Sequence, residues 1–470
     1  MAINTDLDRK IVDLLGDLTI DKERVRNLRI RDARTVTTFV EEWLVSRYER
    51  PDKTDDAVYQ DITTFMSQHL PTKNEKEGLK NRIVNGESVV VLDRFGVRVD
   101  VTKGKRFVSI PCLDESKAET SNVLLDEHPG LLSGGQWGAG RLMLRQDGKD
   151  RNVIELIEFR PMQSGQVRLQ ALVDARQGFS TEEWLAVLIR TMGYEPGAYT
   201  ENQRRNIVLR LLPLVQKNLN MMELAPKGTG KSFVFSNLSR HVWLNSGGAL
   251  TRAPPFKKLC TQEEGFLARL GFLGLVGGAA VEFKGEGDIH AKFKDFLESG
   301  HYTIGHDKIT SECGLMVLAN IELDYQARPT RPDFIRQLPE MFHDDALLDR
   351  FHGIIAGWKI PRINNAHFAQ GPGIKADVFG EDAHQIRTAS PAVFPYGNIP
   401  TFTGDTRDSK AIERMARALS RLFMLNPEHP DYEEYVLKPA IALRERVRSQ
   451  LAALNPSEFT PNVKIGISEH

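Results

Sequence analysis

The chain has 470 residues and balances 62 Lys+Arg against 63 Asp+Glu. A formal net charge of -1 excludes a protein that holds nucleic acid by bulk positive charge, so any such contact must come from local patches. With 41% hydrophobic residues there is ample apolar content for roughly two to four cored domains. The cysteines Cys112, Cys260 and Cys313 lie far apart and form no CxxC pair, which excludes a disulfide framework and a Cys-rich zinc site and fits a reducing compartment.

The first residues carry no basic stretch followed by an apolar core. The most apolar run, Phe266 to Phe283, is shorter than the roughly 20 residues of a spanning helix and holds Arg269 and Glu282. A soluble, cytoplasmic protein without a membrane partner is expected.

Residues 1–85 read as an N-terminal helical region. Leu7, Ile11, Leu14 and Leu15 recur at helical spacing, as do Val40, Trp43, Leu44 and Tyr48. Between them Lys22 to Arg34 is dense in positive charge, either a solvated helix face or a phosphate-contacting arm. Over 86–195 the period changes to two. Strands are predicted at Val89–Leu92, Val97–Val101, Arg106–Ile110, Gly140–Leu144 and Val153–Ile157, with breaks at Arg94-Phe-Gly, Gly104, Ser133-Gly-Gly and Gln146-Asp-Gly-Lys. Short strands with such turns suggest a small barrel or sandwich, the oligonucleotide-binding barrel among the options and DNA its candidate ligand.

Thr181 to Thr191 reads as a helix and Gly193 to Tyr199 as a linker. Over 200–390 helices alternate with strands, as in an α/β ATPase core, and 391–470 reads as a helical lid with a polar tail. The expected fold class is therefore a multidomain α/β and α+β chain, with a P-loop domain preceded by helices and a small β-barrel.

The strongest chemistry lies in Ala225, Pro226, Lys227, Gly228, Thr229, Gly230, Lys231 and Ser232. This is a P-loop, G-x-x-x-x-G-K-[ST], in all but its first position, where Ala225 replaces glycine. Gly228 and Gly230 let the backbone wrap so that successive N–H groups face phosphate oxygens. Lys231 would neutralise the β/γ-phosphates of ATP, and the Ser232 hydroxyl would ligate Mg²⁺. Leu219 to Leu224 supplies a preceding strand and Ser232 to Ser239 the following helix.

Hydrolysis needs an acid at the end of a neighbouring strand. Glu282 is the only acid of the candidate strand Leu273–Phe283, and Val281 stands where a second acid is usual. Glu282 is thus the candidate catalytic acid and Mg²⁺ ligand, or else an edge residue facing water. Asn320 ends the strand Gly314–Asn320 at the edge where open α/β sheets bind ligands, and reads as a γ-phosphate sensor or a turn-forming Asn. Ser299 to Ser311 reads as a hairpin with His306 and Lys308 near its tip, positioned to touch a phosphate backbone. The histidines 290, 301 and 306 match no zinc spacing, and no further metal site is expected. Arg350, in Asp349-Arg-Phe-His352, suits an arginine reaching a neighbour's γ-phosphate or a surface ion pair; Arg414 suits a second sensor on the lid or a solvated helix arginine.

Several segments together carry a resemblance. They are Met222 to Ser232, Asn245-Ser-Gly-Gly248, Lys294 to Gly300, Leu318-Ala-Asn320, Asp349-Arg-Phe-His352, Trp358-Lys-Ile-Pro361 and His128 to Trp137. In order and content, over about residues 5 to 425, they resemble the BrxL family, the AAA+ Lon-like proteins of BREX bacteriophage-defence systems. The resemblance implies an N-terminal DNA-binding region, an MCM-like AAA+ motor, ATP with Mg²⁺, hexameric rings that can stack around double-stranded DNA, and other BREX proteins as partners. It gives His306 and Lys308 a DNA-contacting role and Asn320, Arg350 and Arg414 nucleotide-sensing roles. Two departures stand out. Many members continue into a Lon-protease-like domain with a Ser–Lys dyad, for which this chain ends too early, so protease activity is not expected. The acidic pair is also reduced to Glu282.

The function expected is a DNA-binding ATP hydrolase that translocates on, or clamps, double-stranded DNA in phage defence. The alternatives are a protein unfoldase working with a separate protease, and a nucleotide-locked DNA scaffold that hydrolyses little.

Overall fold

The computed structural model describes residues 5–29, 36–50, 52–101, 104–132, 135–146, 152–162, 168–245, 257–258, 263–264, 272–276, 287–304, 307–463 and 465–467. Glu282 and His306 lie outside the described residues. The chain divides into two compact units, one of 1–2, 20–167 and 375–381, the other of 3–19, 168–374 and 382–470.

In the first unit a short helix, Lys22–Asn27, and three longer ones, α1 (Thr38–Tyr48), α2 (Asp55–His69) and α3 (Lys76–Val84), precede a barrel. Thr54 caps α2 by accepting from the Ala57 N–H, and the buried Val58, Ile62 and Met66 recur along one face. The basic run is tied down where it is described. Lys22 is buried on Glu42 (2.6 Å), Arg24 pairs with Glu49 and Asp55, Arg26 with Glu23, and Arg29 with Glu41. These cations meet acids, which favours the structural reading of this stretch over a phosphate-contacting arm.

The barrel strands are β1 (Val89–Asp100), β2 (Lys105–Ile110), β3 (Glu115–Thr120), β4 (Gln136–Gln146) and β5 (Asn152–Pro161). They close in the order β1-β2-β3-β5-β4, with β3 and β5 parallel and the other pairs antiparallel. That is the topology of the oligonucleotide-binding barrel. The expected break at Arg94-Phe-Gly96 is corrected: β1 runs straight through it. Val89–Phe95 pair with β4 and Gly96–Asp100 with β2, so the strand changes partner at a glycine instead of stopping. Phe95 is fully buried inside, in edge-to-face contact with Phe159 (5.5 Å).

The second unit is built on a five-stranded parallel sheet. Its strands are β6 (Asn220–Ala225), β7 (Val242–Asn245), β8 (Phe272–Val276), β11 (Gly314–Asn320) and β12 (Gly353–Ala356), ordered β12-β6-β11-β8-β7. Between β8 and β11 the chain forms a hairpin of β9 (His301–Ile304) and β10 (Asp307–Thr310), in the register His301 to Thr310. The helices include α4 (Thr181–Thr191), started by a Ser180/Glu183 capping box, α5 (Lys231–Asn237), α6 (Gly287–Ser299), α7 (Thr406–Phe423) and α8 (Lys438–Leu454). One core joins Met222, Leu224, Leu315, Val317 and Ile354 of the sheet to Phe296, Phe351, Val447 and Leu451. Parallel strands covered on both faces read as near-continuous apolar runs, as β6 and β11 do. No described helix is long and apolar enough to cross a membrane.

Candidate nucleotide site

The glycine-rich loop connects β6 to α5 at the carboxyl edge of the sheet, and β6 is buried along its whole length. Gly228 (φ +87°) and Gly230 (φ +75°) occupy the left-handed region that favours glycine. At Gly230 space also requires it, since a Cβ would stand 2.2 Å from Tyr194 Oη and 2.4 Å from Ile363 Cδ1. The alanine in place of the motif's first glycine is housed from the opposite side. A Cβ on Gly357 would lie 2.6 Å from the Ala225 methyl and 2.9 Å from the Leu224 carbonyl oxygen, so glycine is needed where that segment crosses the end of β6.

The loop is held from three directions. Arg210, fully buried, donates twice to the buried Glu223 carboxylate (3.0 and 2.6 Å) and once to the Thr229 carbonyl (3.0 Å). Burial alone opposes its charge, but Glu223 beside it holds the Arg210 guanidinium above the usual arginine range. Tyr194 donates its hydroxyl to the Gly230 carbonyl (3.2 Å), and burial pushes that phenol up to about 12. Ile363 N–H donates to the Gly228 carbonyl (2.9 Å). The segment Gly193–Tyr199, expected as a linker, is therefore part of the scaffold: its Tyr194 is fully buried under the loop.

Lys231 projects into this frame. Its amine donates to the carbonyls of Ala225 (3.2 Å) and Pro226 (3.0 Å) and to Asn320 Oδ1 (3.0 Å). Burial lowers its pKa to about 8, Glu223 opposing the shift and Arg210 reinforcing it. Asn320 reaches the amine because β11 pairs with β6 in the register Asn320 to Ala225, at the strand ends. Ser232, half-buried, follows in the first turn of α5, and the Thr229 hydroxyl is buried without a partner among the described residues. A cleft of about 1180 Å³ opens beside the loop, lined by Pro226, Lys227, Asn320, Trp358, Lys359 and Arg362.

The other predicted residues lie elsewhere. Arg350 donates to the Ala346 carbonyl (2.5 Å) and pairs with Glu298 (2.6 Å) at the end of α6. Its neighbour Asp349 is held by Arg407 and Arg444 (2.5 Å each). Arg414 donates to the Asn218 carbonyl (2.8 Å) and lies 3.1 Å from Nε2 of His352, which burial, with Arg414 beside it, keeps neutral well below the usual histidine range. Asn218 precedes β6, so Arg414 sits at the strand's start and the loop at its end, roughly 20 Å apart for a stretch of seven residues. The structure thus brings Lys231 and Asn320 together and brings neither Arg350 nor Arg414 to the loop of its own chain. Lys308 is exposed on β10, next to the hairpin turn.

Sequence reasoning missed Arg210, Glu223 and Tyr194. The signal for the pair was an acid inside the otherwise apolar strand Met221–Ala225, since a carboxylate at such a position requires a buried cation.

Two relatives named Lon-like protease BrxL are similar along nearly the whole chain. The one from Escherichia coli O9:H4 (strain HS) is 26% identical over 466 residues, covering 97% of this chain and 66% of its own length. The one from Bacillus cereus (strain H3081.97) is 27% identical over 440 residues, covering 92% and 65%. The chain thus spans about two thirds of the length of the curated relatives it matches. Among solved structures, a full-length MCM homolog from Methanopyrus kandleri is similar with a TM-score of 0.43 and 13% identity, over 82% of this chain and 89% of that one. The family model of the BREX system Lon protease-like protein BrxL N-terminal region matches residues 13–144, and that of the Lon-like protease BrxL-like ATPase domain matches residues 154–464, so the chain belongs to the BrxL family.

Proposed function

We propose that this chain is a DNA-associated ATP hydrolase of a BREX antiphage system. The observation that carries the reading is the convergence of Gly228, Gly230, the Lys231 amine and Asn320 at the carboxyl edge of a parallel sheet. Glycine-opened backbone with a lysine at its end suits the phosphates of ATP, and Asn320 on the next strand suits a water or γ-phosphate.

Ser232 and Glu282 would hold Mg²⁺, which neutralises phosphate charge when bound. The unpartnered Thr229 hydroxyl and the buried lysine amine fit a polyanion at this loop. Arg350 and Arg414, standing at the far edge of the sheet, act on a neighbouring copy's nucleotide, which makes the working form a ring. The barrel unit and Lys308 of the hairpin supply contacts to double-stranded DNA, and ATP turnover moves or locks the ring on it.

The test is the ATPase rate of the purified protein with and without long double-stranded DNA, with Lys231→Ala as the blank. A rate that rises severalfold with DNA and vanishes in the variant is expected. A rate equal to the blank in both conditions sinks the motor reading and leaves a nucleotide-locked scaffold. Peptide-client stimulation in place of DNA stimulation would instead favour the unfoldase.

A further inference from the structure

Arg362 directly follows the segment Trp358-Lys-Ile-Pro361. This stretch follows β12 and lies against the phosphate loop. The Ile363 N–H donates to the Gly228 carbonyl (2.9 Å), and the Ile363 side chain fills the space a Cβ on Gly230 would take. Arg362, between these contacts, has its Cγ 3.8 Å from the position of a Cβ on Gly228, so its stem runs alongside the loop. The side chain is exposed, lines the cleft shared with Lys227 and Asn320, and has no acidic partner among the described residues. The other arginines of that cleft are engaged: Arg331 and Arg336 both pair with Asp333.

We infer that Arg362 is a nucleotide-contacting residue, supplied by the same chain that carries the loop, and that it recognises the terminal phosphate of a nucleoside triphosphate. This rests on the nucleotide-binding reading of the loop and deepens it. Three observations fix the assignment. Gly228, beside the Arg362 stem, stands three residues before Lys231, and the lysine of a phosphate loop is the group that reaches the β/γ-phosphates. Asn320, across the cleft, is the polar strand-end residue bonded to that lysine. A guanidinium presents a planar fork of donors suited to phosphate oxygens, and an arginine already salt-bridged is not free to do so. Arg414, expected as a second sensor, is bonded at the opposite edge of the sheet; Arg362 is the arginine placed to act within its own chain.

The experiment is equilibrium binding of ATP and ADP, each with Mg²⁺, to the full chain and to Arg362→Ala, Arg362→Lys and Lys231→Ala. Because Arg362 is exposed and its side chain makes no described polar contact, thermal unfolding of Arg362→Ala should match the parent protein. The expected result is an ATP Kd about tenfold weaker in Arg362→Ala, or about 1.4 kcal/mol, with ADP within about twofold. Arg362→Lys should fall between, since it keeps the charge and loses the fork. ATP binding unchanged in Arg362→Ala while Lys231→Ala loses both nucleotides overturns this inference alone. Equal loss of ATP and ADP in Arg362→Ala overturns the terminal-phosphate assignment. Wild-type ATP affinity in Lys231→Ala overturns the loop reading itself.

Discussion

Replacing Arg210 with methionine tests how the phosphate loop is held. Neither Arg210 nor its partner Glu223 has any side-chain exposure, so the substitution leaves a carboxylate in the core without its cation. Removing one partner of a buried pair costs about 3–5 kcal/mol, because the remaining charge stays desolvated. Replacing both, as Arg210→Met with Glu223→Leu, removes the stranded charge and leaves only the Thr229 carbonyl without its donor, a loss of about 1–3 kcal/mol. At about 2 °C per kcal/mol for a large unit, the single variant should melt roughly 6–10 °C lower and the double roughly 2–6 °C lower. Thermal unfolding without nucleotide is the assay, with ATP binding alongside. A single variant within about 1 kcal/mol of the parent, or a double variant no better than the single, would refute the claim that the pair is a buried strut whose worth lies in its completeness.

Two further predictions concern the same loop. Gly230→Ala should weaken ATP binding by more than tenfold, whereas Gly228→Ala should do so only a few-fold. Both positions have positive φ, costing roughly 1–2 kcal/mol for alanine, but only at Gly230 does the Cβ meet Tyr194 Oη and Ile363 Cδ1; equal effects in a binding titration would refute the packing argument. The second is a pH dependence. Burial holds the Lys231 amine down to about 8, against an ordinary 10.5, so between those values the native state binds fewer protons than the unfolded chain. This group's contribution to the stability of the nucleotide-free protein therefore rises with pH across that window. Comparing unfolding midpoints of wild type and Lys231→Met at roughly pH 7.5 and 9.5 isolates it, with the steeper rise expected in wild type; parallel profiles would contradict it.

The parts of this molecule legible in the sequence are those fixed by local chemistry. The β6–loop–α5 unit was readable because G-x-G-K-S needs left-handed backbone and a lysine together, and β11 because seven residues ending in Asn320 alternate with nothing polar. The helix Thr181–Thr191 was read at its observed bounds, and the structure starts it with a Ser180/Glu183 capping box, a local device of four residues. What escaped depends on residues distant in sequence. Tyr194 sits in Gly-Tyr-Glu-Pro, turn chemistry by any local rule, and only its hydrogen bond to Gly230, 36 positions away, makes it scaffold. The course of β1 through Gly96 was hidden for the same reason, since a glycine in a strand marks a stop or a corner and the partner strands decide which. The close approach of Gly357 to Ala225 belongs here too, since the two residues stand 132 positions apart in the chain.

Six arginines of the second unit sort by the edge of the sheet they stand at. Arg210 and Arg362 stand at the edge where the strands end. Arg350, Arg407, Arg414 and Arg444 stand where strands begin, and Arg444 fastens that edge by bonding Asp408 (2.6 Å), Asp349 and the carbonyls of Asp349 and Phe351. A strand's length separates the two groups, so Arg350 has no route to the loop of its own chain. If it stabilises charge during hydrolysis, the charge belongs to another copy, and assembly is then a condition of turnover. Lys231→Ala and Arg350→Ala should each be inactive alone yet regain activity when co-assembled, because an interface pairing the intact loop of one with the intact arginine of the other is complete. Random mixing in a closed ring makes about a quarter of the interfaces complete. Recovery of a substantial part of that fraction supports a shared site. A mixture as silent as its components, in rings shown to have exchanged subunits, would mean that Arg350 does no more than pair with Glu298.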